Sequence, residues 1–174
     1  MPKYQESSIS NLAYNACGLL LLLMGIAVIS AIALPSFRGT SKRGKDNTVE
    51  AKHYVRSMSR GQQVYFTVKN AFSSSVKALG IGIKTETTNF NYSIRATPKA
   101  AFSYAVAKEK DLKSYVGGVF VVPAKNFEPN AAQEGITTTY ILCEADSLGT
   151  IKPAEPTYEN GKIACGQGTI EVTK

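Results

Sequence analysis

The chain has 174 residues, of which 44% are hydrophobic and 19% are charged, and this balance fits one folded domain with an appendage. The net charge of +7 favours contact with anionic surfaces such as phospholipid heads, acidic glycans or nucleic acid, although a basic balance also simply keeps a domain soluble. The sequence has no basic helix with interleaved aromatic residues and no known nucleic-acid motif. Charge alone therefore predicts only weak, salt-sensitive binding to DNA.

A long charge-free segment lies near the N-terminus. No Asp, Glu, Lys or Arg occurs between Glu6 and Arg38, and residues 16–37 read ACGLLLLLMGIAVISAIALPSF. A helical run of roughly 20 apolar residues can cross the hydrocarbon layer of a bilayer. The segment can thus be a cleaved secretory signal, a membrane anchor or the packing stem of an assembly.

The next segment is polar and has a helical pattern. We predict a helix from about residue 14 to about residue 69, with its first half facing lipid and its second half lying on a folded domain. The residues of the second half that recur at three- and four-residue spacing are Ala51, Tyr54, Met58, Gly61, Tyr65 and Val68.

The remainder of the chain has the pattern of a β-rich domain. Residues 70–83 are rich in Ser and Gly and predict a loop. Short segments rich in β-branched and aromatic residues then predict antiparallel strands at 90–97, 101–108, 115–122 and 137–145. A turn-rich tail follows and returns to strand-like residues at its end. One long helix followed by several strands indicates the α+β class.

The sequence contains three cysteines. Cys17 falls within the apolar run, where a thiol behaves as a small hydrophobic group. Cys143 and Cys165 suggest a disulfide if the domain is exported, and the loop-entropy model gives such a bond about 3 kcal/mol. Two free thiols in a cytosolic protein are the alternative.

Catalytic and metal-binding motifs are absent from the sequence. The only histidine, His53, has no partner at metal-ligand spacing, and GIGIKT at residues 80–85 lacks the Gly that directly precedes Lys in a phosphate-binding loop. No GxSxG motif occurs. The sequence therefore predicts neither an enzyme nor a cofactor-binding or metal-binding protein.

Four stretches of the chain together carry a family resemblance, and they are VISAIALPSF (28–37), VEAKHYVRSMSRGQQVYF (49–66), AFSSSVKALGIGIKTETTNFNYSI (71–94) and LKSYVGGVFVV (112–122). Taken in this order, they resemble the type IV pilin family, in particular its pilin-like proteins of the G/H type. The resemblance implies the pilin fold, in which a long N-terminal helix with a hydrophobic first half packs on an antiparallel sheet. Cys143 and Cys165 fit the C-terminal loop that many pilins close with a disulfide.

The resemblance also implies processing by a prepilin peptidase, which removes a leader and methylates the new N-terminus. Counting back from Pro35 places the cut between Ala13 and Tyr14, where the family usually has Gly and Phe. The fifth residue of the mature chain, usually a glutamate, is Gly18. Because Gly18 cannot pair with the N-terminal amine of a neighbouring subunit, we expect a minor or atypical pilin.

We therefore divide the chain into a leader (1–13), a transmembrane or assembly half-helix (14–35), an amphipathic half-helix (36–69) and a globular β domain (70–174). The expected function is that of a subunit of a type IV pilus or pseudopilus, held in the inner membrane by a single pass and then placed in an extracellular pilus. The expected partners are other pilin subunits, the prepilin peptidase and the inner-membrane assembly machinery, with DNA or anionic surfaces as further candidates. The residues expected to pack in the assembly helix are Leu19, Leu22, Gly25, Ile26, Ile29, Ile32 and Pro35.

Two other functions remain open from the residues themselves. A signal peptidase could cut after Ala33, since Ala31-Ile32-Ala33 fits the small-x-small rule, and would release a secreted basic binding domain. The chain could also be a plain single-pass anchored protein. The basic residues after the apolar run would then hold the domain in the cytoplasm by the positive-inside rule, and these are Arg38, Lys42, Arg43 and Lys45.

Overall fold

The computed structural model describes residues 42–126, 129, 130, 132 and 135–173. The predictions for the leader, the cleavage site at Ala13 and Tyr14, Gly18 and the assembly half-helix lie outside the described residues. Among the described helices, none combines the length and the apolar character needed to span a membrane.

The described part of the chain is one helix packed on an antiparallel sheet. Helix α1 (Lys42–Lys69) ends at the residue that the sequence predicts, and Asn70 follows with φ 51°. A loop with a single 3-10 turn (Lys77–Leu79) leads into the sheet, as the Ser- and Gly-rich pattern of residues 70–83 predicts.

Five strands form the main sheet, in the order β1-β2-β3-β4-β7, and every neighbouring pair is antiparallel. The remaining two strands, β5 and β6, form a separate hairpin within the C-terminal region. The strands are β1 (Phe90–Ala96), β2 (Ala100–Ala107), β3 (Tyr115–Pro123), β4 (Ile136–Ala145), β5 (Thr157–Glu159), β6 (Lys162–Ala164) and β7 (Thr169–Glu171). The four predicted strands are therefore confirmed to within one residue at each end, whereas the β5–β6 hairpin was not predicted.

Helix α1 covers one face of the sheet. Its fully buried residues lie on one stripe and are Ala51, Val55, Met58, Ser59 and Gln62, with Phe66 at the edge of burial. The predicted stripe was partly wrong, because Val68 is 71% exposed. Two polar residues, Ser59 and Gln62, occupy positions of the true stripe and conceal it from a hydrophobicity pattern. Gln62 is accommodated because its amide donates to the carbonyl of Ser73 and accepts from the Ser73 N–H, at 2.6 and 2.9 Å.

The second face of the sheet is covered by the C-terminal region. A cluster of buried residues on this face includes Phe102, Tyr104 and Phe120, and the hairpin residues Tyr158 and Ile163 pack against it. Because both faces are covered, the central strands β2 and β3 are buried along almost their whole length. This explains why AAFSYAVA and YVGGVFVV read as nearly continuous apolar runs rather than as strict alternation.

Two adjacent glycines of β3 allow both covers to approach closely. A Cβ on Gly117 would lie 2.5 Å from Ser59 Oγ and 2.8 Å from Val55 Cγ1 of α1. A Cβ on Gly118 would lie 2.5 Å from Pro156 Cγ, on the opposite face. Successive strand residues point to opposite faces, so this pair places one close contact on each side of the sheet.

Candidate contact and assembly surfaces

The C-terminal region, residues 146–168, is fixed to strands β1 to β4 of the sheet. The disulfide between Cys143 and Cys165 joins it to β4, with the two Cα atoms 5.8 Å apart. Pro156 lies against Gly118 of β3. Arg95 of β1 forms a two-pronged ion pair with Glu155, in which its Nε donates to Oε1 at 2.6 Å. These contacts make the C-terminal region an ordered layer on the sheet.

Glu155 is the centre of the polar contact between this layer and the sheet. Its carboxylate accepts from the guanidinium of Arg95 and from the hydroxyl of Tyr104 on β2. The Arg95 hydrogen bonds, opposed by partial burial and assisted by the Tyr104 hydroxyl, lower the pKa of Glu155. The ammonium group of Lys152 lies 3.8 Å from the centre of the Tyr104 ring, a cation–π contact. Sequence patterns missed these residues because Arg95 and Glu155 lie 60 positions apart.

A second carboxylate, Glu144 of β4, joins helix α1 to the sheet on the opposite face. Its oxygens lie 3.1 Å from Lys52 Nζ of α1 and 3.0 Å from Lys113 Nζ, and the Tyr115 hydroxyl donates to it at 2.9 Å. Burial raises the pKa of Glu144, but the hydrogen bonds from Lys113, Lys52 and Tyr115 outweigh burial and lower the pKa overall. Glu144 and Glu155 are therefore each bound by cationic and hydroxyl groups of the fold. The contacts of Glu144 hold α1 to the sheet, and those of Glu155 hold the C-terminal region to it.

The outward side of α1 carries exposed apolar residues. Val49 and Val64 are each 66% exposed, and Val68 is 71% exposed. His53, the only histidine of the sequence, is also exposed on α1. Val64 and Val68 lie about one turn apart on α1, whereas Val49 lies about four turns before Val64.

A groove of about 450 Å³ opens beside this exposed side of α1. It is lined by Arg60, Gly61, Val64 and Tyr65 of α1 and by Leu79 and Ile81 of the following loop. A Cβ on Gly61 would lie 3.3 Å from Leu79 Cδ1 and from Ile81 Cγ2, so glycine at this position lets the loop pack closely against α1. The Arg60 guanidinium is exposed and has no hydrogen-bond or ionic partner among the residues that the structure describes.

The C-terminal region presents its own exposed apolar residues. Leu148 is 60% exposed and Ile151 is 81% exposed, and both follow β4 in the chain. Ile170 on β7 is 51% exposed. Within the described ranges, no group of three or more His, Cys, Asp or Glu side chains is arranged to hold a metal ion.

Comparison with known proteins agrees with this architecture. The sequence model of the family described as type IV pilin-like G and H matches residues 48–166, which include most of α1, strands β1 to β6 and the disulfide. No curated protein matches the chain. The match covers more than half of the chain, and the fold is a helix packed on an antiparallel sheet with a disulfide, as the resemblance implies. The chain therefore belongs to the type IV pilin-like G and H family.

Proposed function

We propose that the protein is a minor or atypical subunit of a type IV pilus or pseudopilus that assembles through its N-terminal apolar segment. The observation that carries the proposal is the order of parts along the chain. A charge-free apolar run directly precedes a helix that is docked on a family-matched domain and keeps one side exposed. This order supplies a segment for packing between subunits and a domain for display at the surface.

In this proposal the apolar residues from Leu19 to Leu34 pack against equivalent helices of neighbouring subunits. Contact between helices in lipid depends on close packing, since lipid tails are as apolar as leucine. Small residues permit such close approach, and the segment has Gly25, Ala27, Ser30, Ala31 and Ala33. In the same proposal the exposed valines of α1 supply a further contact with neighbouring subunits.

Maturation requires a prepilin peptidase to cut between Ala13 and Tyr14 and to methylate Tyr14. Before assembly the chain spans the inner membrane once, and the assembly machinery then transfers it to the extracellular filament. The absence of a carboxylate at Gly18 supports a minor subunit, because the usual pairing with a neighbouring N-terminal amine cannot form. The disulfide supports an exported domain, since disulfides persist in oxidising compartments.

The proposal is tested by shearing filaments from the native host and probing them for the tagged chain. The wild-type chain should be found in the sheared fraction. A matched variant, in which residues 1–34 are replaced by an ordinary cleavable signal peptide, should be secreted but absent from that fraction. Equal recovery of both forms with filaments would contradict assembly through the apolar segment. Recovery of the wild-type chain only as a soluble secreted protein would favour the signal-peptide alternative.

A further inference from the structure

We propose that the groove on α1 binds the turn at Asp146–Gly149 of a second copy of this chain. The inference rests on the proposed function in its atypical-subunit form, in which copies of this chain lie side by side in a filament. The groove and the turn are different surfaces, so each copy of the chain carries one groove and one turn.

The chemistry of the groove specifies its occupant. Val64, Leu79 and Ile81 supply apolar walls, and the exposed guanidinium of Arg60 stands at the side without a partner among the described residues. A complementary segment must therefore present an apolar side chain with a carboxylate close to it. Arginine is well suited to this role because its planar donors match the geometry of a carboxylate.

The turn after β4 has these features. Leu148 is 60% exposed, and Asp146, two residues earlier, is also exposed. The turn is held at both ends, because the Asp146 N–H donates to the Gly168 carbonyl at 3.0 Å and the Gly149 N–H donates to the Leu112 carbonyl at 2.9 Å. A turn fixed in this way loses little conformational entropy when it binds.

Among the described residues, two other exposed apolar side chains directly precede an acidic residue in the sequence, and they fit the groove less well. Val49 precedes Glu50, but Glu50 is half-buried and its carboxylate accepts from the Tyr92 hydroxyl at 2.9 Å. Asp146 is exposed, and the hydroxyl that its carboxylate accepts, at 3.1 Å, belongs to the neighbouring Ser147 of the same exposed turn. Ile170 precedes Glu171 in β7, and adjacent residues of a strand point to opposite faces. The turn at Asp146–Gly149 is therefore the better match for the groove.

A contact between two different surfaces is head-to-tail rather than twofold symmetric. Such a contact does not satisfy both partners in a dimer, and it continues from copy to copy unless the rotation closes a ring. The charge pair between Arg60 and Asp146 also compensates locally for the repulsion between two chains that each carry a net charge of +7.

The inference is tested by cross-linking in the native host, where two differently tagged copies are expressed in a Cys17→Ser background. One copy carries Val64→Cys and the other Leu148→Cys, and a short bismaleimide should join them in the sheared filament fraction. Val68→Cys paired with Leu148→Cys is the matched control, because Val68 is equally exposed on α1 but does not line the groove. We expect the groove pair to give at least about tenfold more mixed dimer than the control pair.

A charge exchange provides the second test. Arg60→Glu should lower the yield of the cross-link about tenfold, and adding Asp146→Arg to the partner copy should restore it. Lys69→Glu, which makes the same charge change outside the groove, should have no effect. Equal cross-linking at Val64 and Val68, or none at either, in filaments that contain the chain would overturn this contact and leave the proposed function standing. Absence of the chain from filaments would overturn the proposed function and this contact with it.

Discussion

The two faces of the main sheet are covered in different ways. Helix α1 covers one face with a continuous stripe of buried side chains, assisted by the contacts of Lys52 and Gln62. The C-terminal region covers the other face with fewer regular elements and is fixed by the disulfide, by Glu155 and by Pro156. A helix docks through many similar contacts, whereas an irregular segment needs a small number of specific ones.

The adjacent glycines of β3 offer the largest test of this difference. Gly117→Val would drive a branched side chain into Val55 and Ser59 of α1, and we expect a loss of about 3 kcal/mol or more in the free energy of unfolding. A Cβ at Gly118 would lie 2.5 Å from Pro156 Cγ and 2.9 Å from Phe120 Cε2. We expect Gly118→Val to cost less, because displacing an irregular segment disturbs fewer packing contacts than displacing α1. Denaturant unfolding of the full-length protein in detergent would measure both. Equal losses of unfolding free energy would show that α1 and the C-terminal region resist displacement equally.

Removal of the disulfide should affect the second face alone. The double variant Cys143→Ser/Cys165→Ser should lose about 3 kcal/mol of stability by the loop-entropy model. Limited proteolysis should then cut first between residues 146 and 164, while α1 and membrane insertion remain unaffected. Protease resistance equal to that of the wild type would contradict the assignment of the disulfide as the main fixed point of this face.

The half-buried carboxylates of Glu144 and Glu155 allow the polar contacts of the two faces to be compared. Glu144→Gln weakens three contacts that include Lys52 of α1, and we expect a cost of about 1–2 kcal/mol. Glu155→Gln weakens a pair whose Arg95 side chain is 47% exposed, so solvent screening should limit the cost to about 0.5–1 kcal/mol. The urea midpoints of the two variants show directly which substitution costs more stability. A larger effect at Glu155 would reverse the comparison.

A lower pH should weaken the polar contacts on both faces of the sheet, because it protonates Glu144 and Glu155. The folded-state pKa values of Glu144 and Glu155 are lowered from 4.5, so the unfolded chain takes up protons first as the pH falls. Their contribution to stability is therefore complete above about pH 4.5 and is lost progressively as the pH drops through the lower folded-state values. Unfolding midpoints from pH 7 to pH 3 should fall, and the fall should be smaller in the Glu144→Gln variant. An equal fall in that variant would exclude Glu144 as a source of the pH dependence.

The smallest expected effect concerns two hydroxyls buried between α1 and the sheet. Ser59 Oγ and Ser103 Oγ are buried and have no hydrogen-bond partner among the described residues. Ser103→Ala should therefore change the free energy of unfolding by less than about 0.5 kcal/mol, or should stabilise the fold slightly. Thermal unfolding of this variant serves as the control for Gly117→Val at the same interface. A loss above 1 kcal/mol would show that the hydroxyl has an essential partner.

The sheet face that α1 covers was more predictable from the sequence than the face that the C-terminal region covers. The four long strands were found because β-branched and aromatic residues are concentrated between turn residues, and the helix end was found because its pattern stops near Asn70. The buried stripe of α1 was only partly found, since Gln62 and Ser59 are polar. The contacts of Glu155 with Arg95 and Tyr104 join residues more than 50 positions apart, and no local pattern reports such pairs. The β5–β6 hairpin was missed although Asn160 and Gly161, both at positive φ, form a typical hairpin turn.

The central claim is that the apolar segment is an assembly stem exposed by prepilin processing. The most direct test is the intact mass and N-terminal sequence of the protein recovered from sheared filaments of its native host. The account predicts a chain that begins at a methylated Tyr14 and retains residues 14–35. A chain that begins at Leu34, or an unprocessed chain that stays in the membrane, would contradict it.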